Sequence, residues 1–165
     1  MNAFVIDAFD FCRLKERAEG EVAAAELGRL VSECADASGT LRWSLQGGAD
    51  QLGHPRLELA VSGAVRLMCQ RCLTPFSHTI ATQSVLVLAQ DEEDADKIEE
   101  LLADDAIDVI VGSKRLDVMA LVEDEGLLAM PFAPRHEACP DQPVSDGVDE
   151  AAKPSPFSVL KGLKQ

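Results

Sequence analysis

The chain has 165 residues, 47% hydrophobic and 27% charged, with 15 Lys and Arg against 29 Asp and Glu for a formal net charge of −14. That length holds one domain and a tail, and buries enough surface to fold without a disulfide or metal staple. So large an acid surplus argues against a protein that wraps nucleic acid or coats an anionic membrane, and leaves only a local basic face for such contacts.

Along the chain, residues 4–9 read as a short edge strand. Residues 21–35 read as a helix: Leu27, Leu30, Val31 and Cys34 repeat at i, i+3, i+4 and i+7, and Gly39 follows. Leu41, Trp43 and Leu45 then alternate with Arg42, Ser44 and Gln46, the pattern of a half-buried strand, and the stretch from Gly47 to Pro55 reads as a loop. Over residues 56–68, Leu57, Leu59, Val61, Val65 and Leu67 share one face, while Arg56, Glu58, Ser62 and Arg66 share the other. Gly63 interrupts that run where a bulge is expected. A further strand over 76–89 follows a seven-residue connection, so the two pair antiparallel and a meander results.

Residues 91–108 hold ten acids against Lys97 alone. The run reads as a solvated, partly disordered loop over about 91–106; the alternative is a docking surface for a basic partner. Ile107–Val111 reads as a short strand. Asp117 caps a helix to about Met130, ended by Pro131 and Pro134, with Val118, Leu121, Val122, Leu128 and Ala129 as its apolar stripe and Glu125 at the stripe's edge. The expected fold is α+β: a domain over 1–139, with an antiparallel meander of three to four main strands flanked by two to three helices. Residues 140–165 form a disordered linker ending in a short amphipathic motif with Phe157, Leu160 and Leu163 three apart.

The five cysteines are Cys12, Cys34, Cys69, Cys72 and Cys139. An odd count, acids at Asp7 and Asp10 in place of a basic leader, and no apolar run long enough to span a bilayer lead us to expect a cytoplasmic protein whose thiols stay free or bind metal. Cys69 and Cys72 stand at C-x2-C spacing in a strand connection, where both thiolates reach one tetrahedral metal. His136 and Cys139, an H-x2-C pair beyond the last helix, complete a Cys3His set for a structural zinc. Free thiols are the alternative, and a redox role is weakened because thioredoxin-like motifs sit at a helix N-terminus. Nucleotide-binding and hydrolase motifs are absent, so no catalytic residue is expected. Arg42, Arg56 and Arg66 on the polar strand faces, with Arg71 between the two cysteines, are candidates for RNA phosphate contacts, without aromatic stacking platforms to help them.

The order CQRCLTPF, an acidic run, LDVMALVEDEGLLAMPFAPRHEAC and a closing SPFSVLKGLK resembles the bacterial YceD family, the large ribosomal RNA subunit accumulation proteins, from about residue 40 onward. The closing P-F-x-V-L-x-x-L-K is similar to the proteobacterial branch. The resemblance implies a non-enzymatic ribosome-biogenesis factor supporting synthesis, processing or accumulation of large-subunit (23S) rRNA. Its expected partners are that rRNA or a pre-ribosomal particle, a basic ribosomal protein, or both, and it brings no catalytic residues. Relatives of other branches carry extra C-terminal cysteines in a ribbon-like arrangement where this chain has only His136 and Cys139. Glu123, Asp124 and Glu125 on the last helix, and Phe157, Leu160 and Leu163 in the tail, are candidate partner contacts. The alternative function is a CxxC thiol oxidoreductase, or a zinc-stabilised interaction module unrelated to ribosomes.

Overall fold

Asp7 separates the first two elements. It follows strand β1 (Val5–Ile6), and its carboxylate accepts the N–H groups of Phe9 and Asp10, both at 3.1 Å, to cap helix α1 (Ala8–Arg13). A capping acid satisfies the free N–H groups of a first helical turn and complements its dipole, so the strand expected over 4–9 shrinks to two residues. The computed structural model describes residues 4–103 and 106–140.

The helix expected over 21–35 is instead a strand followed by a short helix. Arg17–Ala23 is β2, then a 3-10 turn spans Ala24–Glu26, and only Gly28–Glu33 is helical, as α2. Ala18, Gly20 and Val22 alternate with Arg17, Glu19 and Glu21, a period-2 pattern made faint by its small residues. They are small for a reason: Gly20 lies opposite Trp43 of strand β3 (Gly39–Ala49), and a Cβ there would sit 3.1 Å from the indole. Of the apolar stripe, Leu27 and Leu30 are buried, Cys34 packs half-buried against the core, and Val31 is half-buried.

The expected meander is present. Strands β3, β4 (Pro55–Met68) and β5 (Pro75–Ala89) pair antiparallel in sequence order. Gly47 and Gly48, expected in a loop, belong to β3, and the turn is closed by Asp50, whose carboxylate accepts from the N–H groups of Leu52 (2.9 Å) and His54 (2.8 Å). No bulge occurs at Gly63: the register runs unbroken through Leu41, Gly63 and Ile80. Glycine is needed there because a Cβ would overlap the Thr40 carbonyl oxygen.

The acidic run is a helix, α3 (Glu92–Leu102), not a disordered loop. Asp91 caps it by accepting from Asp94 N at 2.9 Å, and Glu92, Glu93 and Asp94 occupy the first turn, where the dipole favours negative charge. Its second determinant is topological. Strand β6 (Ile107–Val111) runs parallel to β5, and a parallel neighbour needs a crossover that a helix supplies. Ala95, Ile98 and Leu102, at i, i+3 and i+7, pack on Val87, Ala89, Ile107 and Val109 as a small second core.

The sheet thus has five strands in the order β2-β3-β4-β5-β6, antiparallel except at β6, and β1 pairs separately with β7 (Leu116–Asp117). Helix α4 (Val118–Leu128) is capped by Asp117, which accepts from Met119 N at 3.0 Å. Helices α1, α2 and α4 cover one sheet face around Leu41, Leu45, Leu59, Val61, Ile80 and Val118, all 0–1% exposed. Each such fully buried aliphatic side chain contributes about 1.5–3 kcal/mol. Leu128, expected in the α4 stripe, is 80% exposed. Ten residues beyond Val118 it falls about 80° off that direction, and Gly126 takes the contact with Leu30. The fold is α+β, with strand and helix counts slightly above those expected. The linker expected over 140–165 lies, apart from Pro140, outside the described residues. Among those described, no helix is long and apolar enough to cross a membrane.

Candidate metal centre and charged surfaces

Cys69 ends the β4 side of the β4–β5 turn and is completely buried, while Cys72 lies in the turn, half-buried. The turn closes on itself: Cys69 N donates to Thr74 O (3.1 Å), Leu73 N donates to Cys69 O (2.9 Å), and Leu73 adopts left-handed backbone with φ 59°. After α4, Pro131 and Pro134 prevent further helix, and the chain runs back to this turn. Gln70 N donates to Pro134 O (2.9 Å), and the His136 ring tilts onto Phe76 of β5 with centroids 4.9 Å apart.

These contacts bring together all four residues singled out by spacing. The donor atoms of Cys69, Cys72, His136 and Cys139 lie within 4.8 Å of one another. Sγ of Cys69 and Cys139 are 3.7 Å apart, and His136 Nδ1 is 3.3 Å from Cys72 Sγ and 4.0 Å from Cys139 Sγ. Zinc with sulfur at about 2.3 Å and nitrogen at about 2.0 Å needs donor separations of roughly 3.5–3.8 Å in a tetrahedron. The set therefore fits a four-coordinate zinc once its widest donor separation closes by about 1 Å.

The electrostatics agree. Burial disfavours a Cys69 thiolate, but the backbone N–H groups of Cys72, His136 and Arg71, joined by the His136 ring, outweigh it and pull the thiol from 9.0 to about 5. Thiolate is the form that ligates metal. Burial raises the Cys139 thiol, with Cys72 and Cys69 adding to the rise and Arg71 opposing it. Thiolate is thus favoured at Cys69 and opposed by burial at Cys139, a difference that a divalent cation would offset.

Sequence reasoning missed what holds the ligands in place. Arg71, a candidate for RNA, turns its Nε to Cys139 Sγ (3.0 Å) and its terminal nitrogen to the His136 carbonyl (3.3 Å). Thr74 Oγ1 lies 3.0 Å from Cys72 Sγ. The role of Arg71 leaves no spacing signal, because it depends on the return of a segment more than sixty residues distant. His78 bonds through Nε2 to Ala129 O at 3.4 Å, tying β5 to the end of α4.

The other three candidate arginines each pair with an acid. Arg42 pairs with Glu21 (2.6 Å), Arg66 with Asp36 (3.5 Å) and Arg56 with Glu58. Arg17 on β2 likewise pairs with Glu19 at 3.3 Å. On α4, Glu123 turns inward: its Oε1 accepts from Arg29 N (2.6 Å) and Leu30 N (3.1 Å), and its Oε2 from Arg29 Nε (2.9 Å). It thereby caps α2, whose own N-cap residue Leu27 offers no side-chain acceptor. Asp124 also pairs with Arg29, at 2.7 Å. Glu125, on the same helix, has no ion pair among the described residues and lines a groove beside β6. Phe157, Leu160 and Leu163 lie outside the described residues.

Comparison with known proteins adds the following. The family model described as large ribosomal RNA subunit accumulation protein YceD matches residues 57–164, from β4 onward. A protein from Haemophilus influenzae named large ribosomal RNA subunit accumulation protein YceD is 29% identical over 161 residues, covering 88% of this chain and 86% of its own length. No solved structure matches.

Proposed function

The chain belongs to the YceD family of large ribosomal RNA subunit accumulation proteins, and from that premise we propose that it is a non-enzymatic ribosome-biogenesis factor acting through a basic protein partner. The observation that favours protein over direct rRNA contact is the distribution of charge. Arg42, Arg56 and Arg66 each stand beside a carboxylate, so the polar sheet face offers phosphates little net attraction. The acids of α3 are met by a single lysine, Lys97, paired to Glu93 at 2.8 Å. Such a surface speeds encounter with a basic protein and shields it from stray nucleic acid. Direct rRNA contact through Arg42, Arg56, Arg66 and Arg71 is the second reading, and the tail residues Phe157, Leu160 and Leu163 are proposed partner contacts in either case.

Cys69, Cys72, His136 and Cys139 are proposed to hold a structural zinc. Four protein ligands leave no open position for substrate, so zinc there supplies a cross-link and no catalysis. A thiol oxidoreductase is disfavoured, since the C-x2-C pair lies in a strand turn against a third sulfur.

The test is the ratio of large- to small-subunit rRNA in cells lacking the gene, complemented by variants. The ratio should fall, and should be restored by the intact gene and by one carrying Arg42→Glu and Arg66→Glu. A gene with Glu92, Glu93, Asp96 and Glu100 changed to Gln should fail to restore it. The opposite pattern would transfer the function to the arginine face, and an unchanged ratio in the deletion would sink the ribosomal role.

A further inference from the structure

Among the described residues, strand β6 is an edge of the sheet, bonded to β5 on one side only. Gly112 donates its N–H to Ala89 O at 2.8 Å. Backbone groups alternate along a strand, so the N–H and C=O of Val109 and Val111 point to the free side. No hydrogen bond reaches those N–H groups from outside the sheet among the described residues. An edge left this way is a template for another strand.

Beside this edge, between the end of α3 and the outer side of α4, lies a groove of about 510 Å³. Its apolar lining includes Leu102, Ile110, Leu121 and Leu128, the last 80% exposed. Its acids include Glu99, Asp108 and Glu125, none in an ion pair among the described residues. Resting on the basic-partner reading above, we infer that β6 and this groove bind an extended protein segment in which Lys or Arg alternates with aliphatic residues.

Each feature selects that occupant. Strand addition satisfies the free amides, and the period of two along the added strand sends one set of side chains to the apolar lining and the next toward solvent and the acidic rim. A second copy of this chain would bring the same acids against these and be repelled. An RNA strand meets the same repulsion and lacks the alternating amide pattern. Asp108 also fits the device of placing charge on an edge strand to deter self-association, which discriminates between a like copy and a basic partner.

The test uses the full chain, 15N-labelled, with a ten-residue peptide of alternating Lys and Val as probe. Binding should perturb the amides of Val109 and Val111 and slow their hydrogen exchange. N-methylation of alternate peptide amides preserves charge and removes strand pairing; it should weaken binding about tenfold, the value of one or two lost hydrogen bonds. The double variant Asp108→Lys, Glu125→Lys should weaken it at least as much. Equal binding of the methylated peptide, or perturbation confined to α3, would overturn the edge site while leaving a basic partner in place. Failure of every basic peptide to bind would remove both. Tighter binding by an RNA oligonucleotide at β6 would overturn the site in favour of nucleic acid.

Discussion

The β4–β5 turn and the β6 edge are both places where a sheet stops, and they stop it by opposite means. At the turn, the N–H groups of Cys69, Gln70 and Leu73 all have backbone partners, and Cys69, Cys72, His136 and Cys139 converge from distant parts of the chain. At the edge, five residues are bonded on one side only among the described residues, with Glu99, Asp108 and Glu125 lining the groove beside them. The turn takes its order from within the chain, whereas the proposed β6 site takes its selectivity from charge. A chain with an acid surplus can afford an unpaired edge among its own kind.

Breaking the turn should have the largest effect. Cys69 and Cys139 are 70 residues apart in sequence, and cross-linking a loop of that size is worth roughly 4 kcal/mol in chain entropy. Cys69→Ser or Cys72→Ser should abolish zinc recovered with the protein and lower Tm by about 10 °C, with a chelator reproducing the shift. Cys34→Ser, outside the cluster, should change Tm by less than about 3 °C. A full zinc complement in either ligand variant would remove the metal centre.

Loosening the edge comes next. Ile98→Asp places a charge where α3 meets Val87 and Val109 and should cost about 2–4 kcal/mol. Because this core is separate from the main one, helical circular dichroism should fall while the fluorescence of Trp43, the sole tryptophan, stays native. Loss of both signals together would mean that the sheet and its crossover fold as one unit.

The central meander was legible because long strands with large aliphatic residues on alternate positions admit one period, as in Leu57, Leu59 and Val61. The Cys3His set was legible because C-x2-C and H-x2-C are local spacings. What escaped was decided by tertiary context. β2 carries alanine, glycine and valine because it must accept Trp43, so its period is real and its amplitude small. The acidic run looked like a repelling loop because charge density hid the spacing of Ala95, Ile98 and Leu102, and because β6 could not be known to run parallel. The pairing of Arg42 with Glu21 and the return of Arg71 to Cys139 involve partners that no local pattern connects.

Helix α4 offers the finest division between folding and availability, since Glu123 and Glu125 stand two residues apart and face different work. Glu123 caps α2, and although burial opposes its ionisation, the N–H groups of Leu30 and Arg29 and the Arg29 guanidinium hold its pKa below 4.5. A depressed carboxylate contributes its full stability above the unfolded value and loses it as pH falls through the lower folded value. Glu123→Gln should therefore cost about 1–2 kcal/mol at neutral pH, visible as a Tm lower by roughly 3–6 °C, and the gap from the parent should close in acid below pH 4.5. Glu125→Gln should leave Tm within about 2 °C, since no ion pair or cap is lost, yet weaken the Lys/Val peptide at β6. Thermal melts across pH and one binding titration separate the two. A stability loss at Glu125 matching that at Glu123 would mean that the edge acids serve the fold, and that the surface beside β6 is not held free for a partner.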